Sequence, residues 1–270
     1  MTTRAPWMDT INRKTWSDPA TVDWFRHLDG WTDPGEQAAL EHVAAEARGK
    51  PILDLGVGGG RTVPLMRAIS HDYVGLDYTA ELVAACNVRY PDVRVVHGDA
   101  RDLSRFGDGS FQLVAFSFNG IDAVDHEGRR TILEEAYRVL RPGGVFFFSA
   151  HNSDGPGNGE KLSFGVYPTR NPIKLAWRVA QATLRAGRTL QNRMQYGKLG
   201  FDAEGYSIKN AAAHDHGIVI HYTSMAAQLR DLERVGFRPG TPVYSSETGK
   251  LVTQDDDVSQ AWWLHFLARK

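Results

Sequence analysis

One cysteine, Cys86, is all the thiol chemistry the 270-residue sequence holds. That excludes an intramolecular disulfide and any metal cluster built on thiolates. Cys86 falls in the apolar pattern of a predicted helix, so it reads as a small core side chain rather than a nucleophile. Long apolar runs are also missing. None approaches the ~20 residues of a membrane span, and Met1–Trp7 lacks the apolar core of a secretory signal, which makes the cytoplasm the expected compartment. Net charge is the third scarcity. A formal charge of −1, with charged residues at 23 %, gives no electrostatic reason to expect nucleic acid or an acidic membrane as partner. There are no repeats and no low-complexity tract. Apolar residues at 42 % suffice for one large domain, or one domain carrying an insertion.

What is present is an alternation of short apolar strands and helices. Residues 1–35 form an aromatic-rich segment with Trp7, Trp16, Trp24, Phe25 and Trp31, broken by Ser17-Asp18-Pro19 and Asp33-Pro34-Gly35. It predicts one or two short helices packed on the main domain, their tryptophans filling that packing or roofing a ligand site. A helix is expected over 35–48, then strands at 51–55, 73–77, 93–97, 111–117 and 145–150, with helices at 62–69, after Thr79 as cap, and at 127–140. Arg141-Pro142-Gly143-Gly144 stops the last of these. Strands and helices alternating at short spacing mean a parallel sheet covered on both faces.

The rhythm breaks after His151. Residues 152–159 form a polar glycine-rich loop, a basic amphipathic segment follows at about Pro172–Ala186, and a polar stretch runs to about Gly217. Residues 152–221 are therefore read as an insertion or lid. Ser224 caps a helix over 225–235, Gly236 ends it, and strands follow at 237–244 and 261–268.

The chemistry concentrates in Ile52-Leu53-Asp54-Leu55-Gly56-Val57-Gly58-Gly59-Gly60-Arg61, a buried strand ending in a glycine loop. Such a loop lets a ligand approach bare backbone N–H groups. The dinucleotide fingerprint needs a third glycine at position 61, where Arg61 stands, and the run instead reads G-x-G-x-G through Gly56, Gly58 and Gly60. With Asp54 ahead of it, this resembles motif I of the class I (Rossmann-like) S-adenosylmethionine (SAM) methyltransferases. Four further features follow in the family's order: Asp77 ending the second strand, His97-Gly98-Asp99-Ala100-Arg101 after the third, the fourth strand Phe111–Ser117, and Leu140-Arg141-Pro142-Gly143-Gly144.

The resemblance implies a Rossmann-like α/β fold: a doubly wound, seven-stranded, mostly parallel sheet in the order 3-2-1-4-5-7-6 with the last strand antiparallel. Residues 36–151 would be the SAM-binding core and 222–270 its completion. It implies SAM as cofactor and S-adenosyl-L-homocysteine as product. The glycines would admit the methionine part, Asp54 would accept from its amino group or merely brace the loop, and Arg61 and Thr62 would hold its carboxylate unless Arg61 makes an ion pair. Asp77 would take both ribose hydroxyls, Asp99 the adenine amine with the Ala100 N–H on a ring nitrogen, and Tyr78 would lie against ribose or adenine. Ser117 and Asn119 fall near the sulfonium, beyond the strand ends. The Asn/Asp-Pro-Pro-Tyr/Phe signature is absent there, which argues against DNA adenine methylation.

A hydroxyl acceptor requires a base. The candidates are His151 and His216, then His214 and His221; each also reads as an ordinary surface histidine. His214 and His216, placed by an His-x-His strand on one face, could chelate a metal with Asp215 and His221, but nothing completes that site, and none is expected. Phe164, Tyr167, Trp177, Met194, Tyr196, Phe201 and Tyr206 supply the insertion with aromatic and soft side chains, for an acceptor pocket or for its own small core. The expected function is methyl transfer to O or N of a small organic metabolite by a monomer or homodimer, without nucleic acid or membrane. An RNA or protein methyltransferase, a non-catalytic SAM-binding protein and an NAD or nucleotide-sugar enzyme are the alternatives.

Overall fold

Strand β1 (Ile52–Leu55) sits at the centre of a seven-stranded sheet, with β2 (Tyr73–Asp77) and β4 (Phe111–Phe116) parallel on either side of it. A computed structural model describes residues 5–28, 30–159 and 169–270. Beyond β2 lies β3 (Arg94–His97), and beyond β4 lie β5 (Leu140–His151), β10 (Trp263–Arg269) and β9 (Val243–Ser245). The order β3-β2-β1-β4-β5-β10-β9, with β10 antiparallel to both neighbours, is the one expected. The central strands are apolar throughout because both faces are covered. Alternate residues point to opposite sides: Leu53, Val114 and Phe146 meet one core cluster with Ile132 and Leu133, whereas Ile52, Leu113 and Phe147 meet another with Val43, Met66 and Cys86.

Helices α3 (Pro34–Ala47), α4 (Val63–Ile69), α5 (Ala80–Arg89), α6 (His126–Val139) and α9 (Met225–Val235) cover these faces. Their ends follow local chemistry. Asp33, Asp125 and Ser224 accept from the amides of Glu36, Gly128 and Ala227, and Gly236 ends α9 at φ +116°. Thr79 does not cap α5; the Asp77 carboxylate accepts its amide instead. Strand β5 starts earlier than expected, at Leu140, because Arg141–Gly144 continue it past an irregularity in its register with β4. The strand expected over 237–244 is only β9, since Pro239, Gly240 and Pro242 interrupt its first half.

The insertion holds more order than its polarity suggests. Helix α7 runs Pro172–Tyr196, well past the expected end, and β6 (Phe201–Ala203), β7 (Tyr206–Ala211) and β8 (Ile218–Thr223) form a separate antiparallel sheet. Between β7 and β8 the turn α8 (Ala213–His216) holds His214, Asp215 and His216 at positive φ. Phe164 and Tyr167 lie outside the described residues. No helix among the described residues is long and apolar enough to cross a membrane.

The N-terminal helices α1 (Pro6–Trp16) and α2 (Pro19–His27) bridge the two sheets. Asn12, fully buried, donates to the carbonyls of Ala123 and Val219 and accepts from the Val219 amide. Asn12→Leu strands three buried backbone groups and is expected to cost about 2–4 kcal/mol, read as a lower urea midpoint; an unchanged midpoint contradicts this anchoring role.

Candidate functional site

A cavity of about 310 Å³ opens at the carboxyl ends of β1, β2 and β4. Gly56, Gly58, Asp77, Tyr78, Asp99, Ala100, Ser117 and Asn119 all line it, as do His151 and His214. The loop glycines do different work. A Cβ on Gly56 would lie 2.5 Å from the Phe116 ring, one on Gly59 would strike the backbone of α2 at Arg26 and Phe25, and one on Gly60 would lie 2.6 Å from the Tyr90 ring. At Gly58, with φ +55°, nothing lies closer than 3.8 Å, so this is the stretch of loop that a ligand can approach. Gly60 lines neither the cavity nor the smaller hollow beside it; its place in a ligand cradle is corrected to close packing on α5.

Two carboxylates end the strands beneath the loop. Asp77 accepts from the Gly58 amide at 2.8 Å through Oδ2 and from the Thr79 amide at 2.8 Å through Oδ1. Each oxygen keeps a second lone pair for a ligand. Burial pushes the Asp77 carboxyl above its ordinary value. Asp54, on β1, borders the small hollow; burial raises its carboxyl to about 6 against the donated bonds of Thr62 and Tyr73. Its Oδ1 is buried without a partner, and so are the Tyr78 hydroxyl and Asn119 Oδ1. Two of these orphaned polar atoms flank the apolar cavity and the third borders the hollow beside it, an arrangement that suits a ligand bearing an amine, hydroxyls and ring nitrogens.

Other groups arrive already engaged. Arg61 donates twice to Glu36 on α3, at 2.8 and 2.9 Å, and also to Ser117 Oγ and the Trp31 carbonyl. Its guanidinium is committed to that network rather than aimed at a ligand carboxylate. Asp99 binds Arg101 and, from α1, Arg13. Burial alone would raise the Asp99 carboxyl, but the Arg101 bonds outweigh it and hold it below the usual range. Arg13 also lies 4.2 Å over the Tyr78 ring, clamping the wall from outside.

The histidines separate cleanly. His151 ends β5 in the cavity wall, and its Nδ1 lies 2.8 Å from Asp122 Oδ2, which also accepts the His151 amide. A ring that donates Nδ1–H to a carboxylate carries its basic lone pair on Nε2. Asp122 is fixed in turn by buried Arg129, which also bonds Gln228. His214 faces the cavity among Trp16, Trp24 and Phe25, 5.0 Å from the Trp16 ring, and burial lowers its pKa. His216 is buried against Asn210, and His221 stacks on Tyr206 beside His126, with burial holding it well below the ordinary value. Neither lines the cavity, so both are withdrawn as bases. The His-x-His strand is likewise corrected, since left-handed backbone sends His214 and His216 to different partners; among the described residues no group of three or more potential ligands gathers.

The aromatic wall comes from the N-terminal segment, in line with the reading that its tryptophans roof a ligand site, and not from the aromatics of the insertion. Trp16, Trp24 and Phe25 of the N-terminal helices line the cavity with Phe118 and Trp263, whereas Tyr196, Phe201 and Tyr206 build the insertion's own core with Met8 and Ile11. Trp177 and Met194 are exposed on α7. Glu36, and the pairing of Asp122 with His151, escaped the sequence reading because each acts on a residue far away in the chain, and no local spacing marks them.

Residues 52–144 match a family model described as a methyltransferase domain. A probable S-adenosylmethionine-dependent methyltransferase of Mycolicibacterium smegmatis is 31 % identical over 129 residues, covering 48 % of this chain and 46 % of the relative. A demethylmenaquinone methyltransferase of Beutenbergia cavernae is 37 % identical over 108 residues, covering 40 % and 43 %. The chain thus spans about half the length of the curated relatives it matches. Among solved structures, the Streptomyces caelestis CcbJ methyltransferase superposes with a TM-score of 0.59 at 17 % identity, over 94 % of this chain and 97 % of that one. The Burkholderia thailandensis 1,6-didemethyltoxoflavin-N1-methyltransferase, with 1,6-didemethyltoxoflavin and S-adenosylhomocysteine bound, gives 0.56 at 16 %, over 97 % and 88 %. These two likenesses show the fold.

Removing Glu36 strips a buried guanidinium of its only charged partner in this network. Glu36→Leu is expected to destabilise the protein by about 3–5 kcal/mol; a shift below about 1 kcal/mol in a denaturation series contradicts the network's role.

Proposed function

We propose, for a chain whose residues 52–144 form a class I S-adenosylmethionine-dependent methyltransferase domain, that it transfers a methyl group to an oxygen or nitrogen of a small organic acceptor. The observation that carries this reading is that His151, oriented by Asp122, shares one apolar-walled cavity with Gly58, Asp77 and Asn119. The cofactor, when bound, supplies a methyl group activated by a sulfonium sulfur. The chain's own part is to bind, align and deprotonate. Gly58 offers exposed backbone, Asp77 accepts from the ribose hydroxyls, and Asp54 Oδ1 accepts from the amino group. Tyr78 and Asn119 carry the remaining polar atoms about the cavity.

His151 Nε2 would take the proton of a hydroxyl acceptor, and the bound cofactor would supply the electrophilic methyl carbon to the acceptor oxygen, the carbon–sulfur electron pair departing with sulfur. Asp122 holds Nδ1–H and stabilises the imidazolium. A neutral amine acceptor needs this base less. Trp16, Phe25, Phe118 and Trp263 keep water from the transfer path. A cavity with aromatic walls suits a planar acceptor. The reading places the reaction in the cytoplasm.

Two outcomes are expected. With a small phenol or amine that supports S-adenosylhomocysteine release, His151→Gln lowers kcat by about 10²–10⁴-fold and leaves the cofactor Kd unchanged. Release unchanged by the substitution removes the base, and no release with any acceptor favours a non-catalytic SAM-binding protein. The second outcome is a pH dependence. The carboxyl of Asp54, raised by burial to about 6, favours folding when protonated, and that contribution fades as pH rises through 6. Ligand affinity runs oppositely, because only the ionised carboxylate pairs with an ammonium. The Kd for S-adenosylhomocysteine is expected to be flat above about pH 7 and to weaken about tenfold per unit below 6. Asp54→Asn should abolish the slope; a slope that persists assigns it elsewhere.

A further inference from the structure

Among the described residues, helix α7 is attached to the body at one end. Its buried residues, Thr189 and Tyr196, lie in its last third, and Asn192 donates to the Asp215 carbonyl of α8. On its open side the helix is apolar. Ile173, Trp177, Leu184 and Met194 are 80 %, 62 %, 70 % and 70 % exposed. At 3.6 residues per turn they share an arc of roughly 100°, which Leu175, Val179 and Leu190, also exposed, widen to roughly 200°. Lys174, Arg178 and Arg185 lie in a band of roughly 40° beside it, Arg188 at its edge pairs with Asp215 of α8 at 3.5 Å, and no aspartate or glutamate occurs between Pro172 and Tyr196. The whole-chain charge of −1 conceals this local concentration.

We propose that α7 is a membrane-docking helix that lies on an anionic lipid surface. Its apolar arc enters the acyl boundary, and its cations meet the headgroups. Tryptophan and leucine on one face with arginine and lysine flanking it is the pattern that gains from both hydrophobic burial and attraction to anionic lipid. The long basic side chains reach headgroups while their stems stay in apolar surroundings. Charge complementarity sets the occupant. A second copy docked helix to helix would align two cationic bands along one seam, and a nucleic acid would leave the leucine and isoleucine uncovered. This departs from the expectation of no membrane partner, which rested on the near-neutral net charge and on the lack of an apolar run long enough to span a bilayer. It is independent of the catalytic reading, although the turn α8 that α7 grips carries His214 in the cavity wall.

The test is sedimentation of the full chain with vesicles of mixed phosphatidylglycerol and phosphatidylcholine, against pure phosphatidylcholine. The expected result is binding at least about tenfold stronger to the anionic vesicles, lost in about 1 M salt. The double variant Trp177→Glu/Leu184→Glu should weaken it at least about tenfold with an unchanged melting temperature, since both side chains face solvent. Absence of anionic-vesicle binding, equal binding to both vesicle types, or equal binding by the variant overturns the proposal. A solution dimer dissolved by the variant, without vesicle binding, also overturns it and assigns the face to a second copy.

Discussion

Arg61 carries a full charge at 6 % exposure, and the site takes its shape from how that charge is satisfied. A guanidinium held out of water without partners costs several kcal/mol. Here Glu36, 1 % exposed, meets it in a two-pronged pair, and Ser117 and the Trp31 carbonyl take further protons. The three partners come from the first turn of α3, the segment before it and the tip of β4, while Arg61 itself ends the glycine loop. One cation therefore clamps the three pieces of backbone that border the cavity's mouth. Such a pair adds little net stability over an apolar substitute, but it fixes geometry, because half of it cannot be removed cheaply.

Fixed in this way, the loop can use glycine for packing as well as for ligand approach. Phe116 occupies the space beside Gly56, and a Cβ on Gly120 would collide with the same ring. Helix α2 lies against Gly59 so closely that its backbone leaves no room for a side chain. The roof is thus part of the reason for the motif: α2 brings Phe25 and Trp24 over the cavity only because residue 59 is bare. On the other wall Arg129, Asp122 and His151 form a second buried chain, in which a charge at the core end orients an imidazole at the cavity end.

The seven-stranded core was legible because its signals are local. Continuous apolar strands, Pro-Gly punctuation and a glycine loop after β1 each act within a few residues, and their order gives the sheet. The insertion was less legible. Strands β7 and β8 carry Ser207, Lys209, Asn210 and His221 among their apolar residues, so no clean alternation marks them. The pairings that sort the site are also remote in sequence. Nothing near Asp99 announces Arg13, and nothing near His151 announces that Asp122 will accept its Nδ1–H. Four histidines that read alike along the chain differ only in which way the folded backbone turns them.

The most direct measurement is a calorimetric titration of the chain with S-adenosylhomocysteine and, separately, with NAD, repeated on Asp77→Ala. Binding of S-adenosylhomocysteine at one site, no heat with NAD, and a loss of about 1.5–3 kcal/mol in the variant are the results expected if Asp77 grips the ribose beneath the loop. Binding of NAD alone, or an Asp77→Ala variant that remains folded and binds S-adenosylhomocysteine as tightly as the natural chain, would contradict it.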